Sequence, residues 1–530
     1  MTKEETENFK ISLTTQESLL KLFDKYKNNS VITKKIQHFV TRQLPQTIGH
    51  SEIEYQKKQK RDKLIAKEKT LFVHKFINCN QYCFIPTSGL FLEYDKNTFK
   101  LCNEDDIQHK ILTKVSNEKT LLQWKYQIKT TIIKEIKSTT LFKIIPESIT
   151  IQTVLENMFP TIFISKEWVK YFLTVIGDNI LKKNTELIHF MNPEFKILLT
   201  AITEESSKFF SSSFNPTDTI KLKYHDHSLE KCRIIDINKN MTDRNFTDCV
   251  TFIKSNVLDI IAVATYYSER YESSDKYVRN TLMNSELYNR VFLLYQTPIQ
   301  TQIDRFVIKY ISLTNVPTSN VKWDEVLFLW KYNLKQNNLP NIIFYNSLKE
   351  ILIKKFKYNE KEDHFEKCHS TFIDKINIFN EFWSGTIKTK RNEELEVEEI
   401  HELFKIWYKK QKKQAGMPQN ILSEINIIDV ITHFHKNIIT NNDKFILNVK
   451  CDLWDKTGNI KESLLQIKTQ NKESNNLNPI SIDKAYKAYC KHHKKKKGVI
   501  CNKQFFGKKV PTLIDIKHID GTLILPSYWE

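Results

Sequence analysis

A mainly α (α+β) fold is predicted for this 530-residue chain by three features. Only nine glycines occur, too few for the tight turns of an extended sheet or barrel, whereas helices need hardly any. Apolar residues recur at three- and four-residue spacing in most segments, the signature of amphipathic helices. Strand-like composition is confined to short stretches: a small N-terminal β element, a short strand and turn in a helical middle, and a hairpin at the C-terminus.

The elements follow in order. Residues 1–69 are polar and charge-dense, with the basic run Lys57-Lys58-Gln59-Lys60-Arg61-Asp62-Lys63, and are expected to form helices with partial disorder. Residues 70–165 read as a small β plus helical domain. Strands are expected at 70–73 and 82–86, a turn at Ser88-Gly89, and an antiparallel partner at 90–94. Asp105 and Asp106 mark a helix start, where the macrodipole favours acids, ahead of the stripe Ile107, Ile111 and Leu112. Amphipathic helices are expected at 121–137, 149–158 and 168–182, and a long buried one at 250–271.

Residues 166–295 contain a segment that reads like a nucleotide-binding strand, turn and helix. Residues 187–190 form the strand and 197–210 the helix, with Met191-Asn192-Pro193-Glu194-Phe195-Lys196 between them. A phosphate loop needs glycines so that backbone N–H groups can close around phosphate, then Lys and Ser/Thr. Asn192, Glu194 and Lys196 form a degenerate version: glycine is missing, Glu194 is negative where phosphate would sit, and only Lys196 could stand in for the loop lysine. No cofactor is expected.

The remaining chain divides into three segments, 296–390, 391–475 and 476–530, which share an internal pattern. Each has an aliphatic or small residue, then an apolar or aromatic one, with an aromatic three positions later: Val326-Leu327 with Trp330, Leu403-Phe404 with Trp407, Ala485-Tyr486 with Tyr489. A lysine-rich connector and a second short helix follow each time, at 344–356, 425–434 and 502–510. This periodicity predicts a small helical unit repeated three times. The last unit ends in apolar residues 513–516, a turn at Asp520-Gly521 and residues 522–525. Helix, helix and hairpin is the winged-helix order, in which a helix enters a groove and the hairpin touches the backbone.

Net charge is +19, and nine arginines among 81 basic residues leave 72 lysines. Lysine is a hydrated point charge suited to backbone phosphates rather than bidentate base reading. The alternative is a diffuse charge that serves solubility. In the last unit, Lys494, Lys495, Lys496 and Lys497 precede the expected recognition helix, which carries Lys503, Lys508 and Lys509. These seven are the candidate nucleic-acid contacts.

Metal and catalytic constellations are weak. The nine cysteines show no repeated CxxC spacing. His225-Asp226-His227 with Cys232 and Cys249 fits no zinc finger and reads as a polar turn. Cys490, His492, His493 and Cys501 include a cysteine on an apolar helix face, where core burial is the better reading. Asp105, Asp106 and His109 share a helical turn, but acids at a helix start are usually caps. The chain is therefore read as non-enzymatic, with a metal-dependent nuclease using Asp105 or Asp226 as the enzymatic alternative and no metal site assigned.

Two motifs resemble a known family. Asp483-Lys484-Ala485-Tyr486-Lys487-Ala488-Tyr489-Cys490, a basic connector and Val499-Ile500-Cys501-Asn502-Lys503-Gln504-Phe505-Phe506-Gly507-Lys508-Lys509 look like the C-terminal winged-helix module of poxvirus and giant-virus primase-helicases. The run from Trp168 through Phe172 to Asp178, with the strand at Leu187, is similar to the entry into their superfamily III helicase core. Phe91-Leu92-Glu93-Tyr94 followed by Glu104-Asp105-Asp106-Ile107 resembles the domain before that core. The likeness covers residues 72–208 and the last fifty.

The departures define the expectation. The glycine-lysine phosphate loop is missing, and Asp236, in Cys232-Arg233-Ile234-Ile235-Asp236-Ile237, is single where such helicases pair two acids. Too little chain precedes Phe72 for a primase domain. The resemblance thus implies a degenerate paralogue that binds nucleic acid, most readily DNA, by backbone contacts, in replication or transcription of a large DNA virus. It would work in the host cytoplasm or virion with replication or transcription proteins, without a membrane; the acidic, apolar-poor amino terminus agrees with an intracellular protein. The alternative is a virion structural or assembly protein whose helical domains contact other proteins.

Overall fold

The computed structural model describes residues 3–238, 243–280, 285–316, 319–411, 422–441, 444–473, 478–495 and 498–528. It is mainly helical, 65% helix and 12% strand, with small sheets. The chain divides into two compact units. One contains residues 1–185, 195–219 and 237–287; the other contains 186–194, 220–236 and 288–530.

The first unit begins with helices Lys3–Lys25, Ser30–His38 and Leu44–Cys79. Residues 70–73, expected as a strand, lie in the last of these. Val73 and Phe76 are one helical turn apart and both buried, so a helix covers the core that an isolated strand would have to reach with alternate residues. The expected hairpin follows: Gln81–Ile85 pairs antiparallel with Leu90–Tyr94, Gln81 opposite Tyr94 and Ile85 opposite Leu90. Gly89 closes its turn at φ +71°, a conformation that costs glycine nothing. A third strand, Phe99–Cys102, completes the meander. Helix Glu104–Ser116 starts on Glu104, Asp105 and Asp106 and buries Ile107, Ile111 and Val115.

The centre of this unit is helix Asp243–Tyr271, kinked at Asn256, in which Ile260 to Ala264 are fully buried. Its stretch Arg244–Tyr271 is long and apolar enough to cross a membrane by length and composition, and 61% of the qualifying window is buried inside the fold. Helix Lys166–Ile180 crosses it at Gly177, where a Cβ would sit 2.1 Å from the Ala264 carbonyl oxygen. The neighbouring Asp178 is buried and accepts hydrogen bonds from Ser268 Oγ at 2.6 Å and the Ser274 N–H at 2.8 Å. Asp259 accepts from the Phe99 N–H at 2.8 Å, and burial pushes its carboxyl pKa up to about 6.

The second unit holds a three-stranded parallel sheet, ordered Ile220–Lys221, Ile188–Phe190, Cys232–Ile234, and three successive copies of one topology. The first copy is helix Ile299–Tyr310, strand Asn320–Lys322, helices Trp323–Gln336 and Tyr345–Ile353, and strands Tyr358–Asn359 and His364–Glu366. The second is Thr371–Thr386, Ile387–Glu396, Val397–Gln411, Glu424–Phe434, Ile439–Asn441 and Phe445–Cys451. The third is Lys456–Glu473, Ile480–Ser481, Ile482–Lys495, Lys503–Leu513, Ile519–Asp520 and Leu523–Ile524. In each copy the last strand lies between the other two, antiparallel to both.

The repeated aromatics are core residues: Trp330 and Tyr489 are fully buried, and Trp407 packs against the same cluster. Two expectations change. Residues 331–336, 409–411 and 491–495 of the lysine-rich connectors are the ends of the preceding helices, where lysine has good propensity and a favourable place on the helix dipole. Residues 513–516 are not the first arm of the last hairpin, because the helix runs through Leu513, and Ile514, just past its end, is buried. That arm is Ile519–Asp520, and Gly521 at φ +56° makes the turn.

Candidate nucleic-acid interface

Residues 187–210 form the expected strand, turn and helix. Ile188–Phe190 is the central strand of the parallel sheet, Pro193–Phe195 is a 3-10 turn, and Lys196–Phe209 is helical. Two of the backbone donors a phosphate would need at this turn are missing or engaged. Pro193 has no N–H, and the Glu194 N–H donates to Asn192 Oδ1 at 3.0 Å. Glu194 and Lys196 are both exposed, so an acid and a base flank the helix start and their charges offset. The boundary between the two compact units runs through this turn, after Glu194. The helix leaving it packs on Asp243–Tyr271 within the first unit.

Asp236, the single acid after strand Cys232–Ile234, is occupied. The Arg290 guanidinium donates to both of its carboxylate oxygens, from Nε and, at 2.9 Å, from Nη2. Nη2 also donates to the carbonyls of Asn337 and Asn338, at 2.5 and 3.1 Å. Such a bidentate, charge-assisted pair engages both oxygens and neutralises the carboxylate within the protein. Arg233, also on this strand, is buried and lies 4.8 Å from the Phe292 ring and 5.3 Å from that of Tyr295.

The motif residues of the last repeat build its core. Tyr486 Oη donates to the Cys501 carbonyl at 3.0 Å, the Cys501 N–H donates to Tyr489 Oη at 3.0 Å, and Phe506 packs on both rings. Asn502 caps helix Lys503–Leu513 by accepting from the Phe505 N–H at 2.7 Å. No family model, curated protein or solved structure matches this chain.

The seven candidate lysines are unequal. Lys494 is exposed near the end of helix Ile482–Lys495, which also contains Lys495, while Lys496 and Lys497 lie outside the described residues. Lys503 is exposed and pairs with Asp483 at 3.0 Å. Lys508 lies 3.9 Å from Glu394, and Lys509, largely covered, lies 3.7 Å from Glu393 and over the Phe505 ring. The last two are thus turned toward the first strand of the preceding repeat.

Sequence reasoning missed the charges that join these repeats. Lys456 and Glu399 form an ion pair at 2.6 Å with side chains 5% and 3% exposed. Lys456 Nζ also donates to the Glu394 carbonyl at 3.0 Å and sits 3.9 Å from the centre of the Phe505 ring. Glu399 accepts from the N–H groups of Asn502 and Glu396, at 3.1 and 2.9 Å. Nothing in local sequence distinguishes Glu399 from Glu398 beside it; only the three-dimensional register does.

No group of three or more metal-ligating side chains gathers among the described residues. Cys232 Sγ donates to the Ser228 carbonyl at 3.2 Å, and all nine cysteines are free thiols. Asp105 and Asp106 sit in the first turn of their helix.

Proposed function

We propose that this chain is a non-catalytic nucleic-acid-binding protein, a paralogue of the poxvirus and giant-virus primase-helicases that has lost its phosphate loop and serves replication or transcription of a large DNA virus. The observation that carries the reading is the threefold repetition of a helix, strand, helix, helix and hairpin, with the last strand central in the sheet of each copy. That is the order of a winged helix, a fold that presents one helix and a hairpin to a duplex. The net charge of +19 and the excess of lysine favour contact with backbone phosphates. The lack of glycine in residues 191–196, the proline at 193 and the engaged Glu194 N–H argue against ATP hydrolysis.

A salt titration tests it. Full-length protein is titrated into fluorescent double- and single-stranded DNA at 50 and 200 mM salt, with ATP hydrolysis measured in parallel. Binding is expected to weaken steeply with salt and ATP turnover to be at background. Lys503, Lys508 and Lys509 are changed together to Gln, which removes charge without setting new acids beside Glu393 and Glu394. About threefold or greater weakening is expected, since each lost phosphate contact lowers the salt slope by roughly 0.9. Salt-independent binding, or nucleotide bound beside Lys196, would overturn the reading.

A second reading is favoured by one observation: the third helix of a repeat faces the neighbouring repeat. In the middle copy, Glu424–Phe434 places His433 and Phe434 against Phe328 of the first, with Asp429 paired to Lys335 at 2.7 Å. Helices used in this way suit an assembly protein whose repeats dock on protein. Co-purification with capsid or polymerase components, without DNA affinity at physiological salt, would select it.

A further inference from the structure

We infer a second polyanion-binding surface, on helix Leu44–Cys79, that engages the nucleic-acid backbone through an outward stripe of lysines. The inference rests on the reading of the chain as a nucleic-acid-binding protein, and extends it to a region that the repeats do not include.

The helix has 36 residues, about 54 Å at 1.5 Å per residue, and no residue from 10 to 72 is buried. Between 57 and 69 it carries seven basic and two acidic residues. Lys57, Lys58, Lys60, Arg61, Lys63 and Lys67 are all exposed, and none is in an ion pair among the described residues. Their state contrasts with Lys503, Lys508 and Lys509, each of which faces a carboxylate. Unpaired cations need not give up a protein partner before they meet phosphate, so counterion release is their main driving term.

Position along the helix selects among them. Lys69 belongs to the inner side: its Nζ lies 4.2 Å from the Trp124 ring and donates to Gln127 at 3.0 Å. At 100° per residue, Lys60, Lys63 and Lys67 fall within roughly 60° of one another, on the opposite side of the helix from Lys69. They rise about 4.5 and 6 Å from one to the next, close enough to follow successive phosphates of one strand.

The chemistry also decides the class of partner. A helix lying in a lipid interface needs a continuous apolar face. Residues 56–63, Gln-Lys-Lys-Gln-Lys-Arg-Asp-Lys, contain no apolar side chain over more than two turns. Six of the seven bases are lysines, suited to phosphate point contacts rather than to carboxylate clamps. A phosphodiester backbone is the fitting ligand.

The test uses the full chain with Lys60, Lys63 and Lys67 changed together to Glu, beside the Lys503, Lys508 and Lys509 to Gln variant, in DNA-binding titrations from 50 to 200 mM salt. Far-ultraviolet circular dichroism should match wild type, because these side chains have no tertiary partners. The N-terminal variant is expected to bind about tenfold or more weakly at 100 mM salt, with a salt slope shallower by roughly 2 to 3. Changing the same three residues to Arg should preserve affinity. Unchanged affinity in the Lys60, Lys63 and Lys67 variant, with loss in the C-terminal one, overturns this inference and leaves the proposed function standing. Wild-type protein that binds neither DNA nor RNA overturns both. Binding to phosphatidylserine vesicles that the N-terminal variant abolishes, with DNA affinity intact, overturns the inference in favour of a membrane partner.

Discussion

Asp259 shows how one buried carboxylate couples this fold to pH. It is 4% exposed on helix Asp243–Tyr271, and its one hydrogen bond from Phe99 only partly replaces the water it has lost. Its pKa is raised from 3.8 to about 6, so the folded chain holds this proton more tightly than the unfolded one. The stability it contributes is therefore fully present below about pH 4 and is lost as pH rises through 6. Asp259→Asn keeps an acceptor for the Phe99 N–H and removes the charge. We expect it to stabilise the protein at pH 8 by on the order of 2 kcal/mol, with the advantage gone at pH 4. Urea denaturation at the two pH values measures this. Equal gains at both would mean that packing, rather than ionisation, sets the effect.

Helix contacts in the first unit depend on one missing side chain. Gly177 lets Lys166–Ile180 approach Asp243–Tyr271 until a Cβ would lie 2.1 Å from the Ala264 oxygen and 2.7 Å from Ser268 Cβ. Backbone cannot rotate away as a side chain can, so Gly177→Ala is expected to cost about 3 kcal/mol or more. Gly385, in helix Thr371–Thr386 with nothing within 4 Å of its Cβ position, is the internal control. Gly385→Ala should be neutral or stabilise by up to about 1 kcal/mol. Melting curves of the two variants compare them directly; similar losses would refute the steric account. The helices themselves were legible in sequence because their apolar residues keep helical spacing, as at Ile107, Ile111 and Val115. The aromatic of each repeat was legible too, since Trp330 and Tyr489 are large and evenly placed. The two-residue strands were not: Ile480–Ser481 and Tyr358–Asn359 are too short for alternation to register, and their pairing is fixed by neighbours distant in sequence. For the same reason the candidate lysines at 503, 508 and 509 could be found from sequence, while the acids facing them could not.

At the scale of the whole molecule, three copies of one topology in series imply that stability is divided between each repeat and its contact with the next. The middle and last copies meet at the Lys456–Glu399 pair, which Asn502, Glu396 and Glu394 surround with backbone hydrogen bonds. A buried pair of this kind adds little net stability over apolar residues of equal volume, yet removing one partner leaves the other charged and dry. Glu399→Ala strands Lys456 and also leaves the N–H groups of Asn502 and Glu396 without their acceptor. The expected cost is about 3–5 kcal/mol. Replacing both, as Glu399→Leu with Lys456→Met, relieves the charge but still orphans the two N–H groups, so it should recover only part of the loss, about 1–3 kcal/mol short for each. Because Glu399 ties the cap of Lys503–Leu513 to the previous repeat, the damage should fall on the junction. Hydrogen exchange is expected to quicken in residues 456–528 and in Val397–Gln411, while helix Asp243–Tyr271 keeps its protection. A uniform increase across the chain would mean that the repeats and the first unit unfold as one cooperative body, and that the pair is not a local clamp.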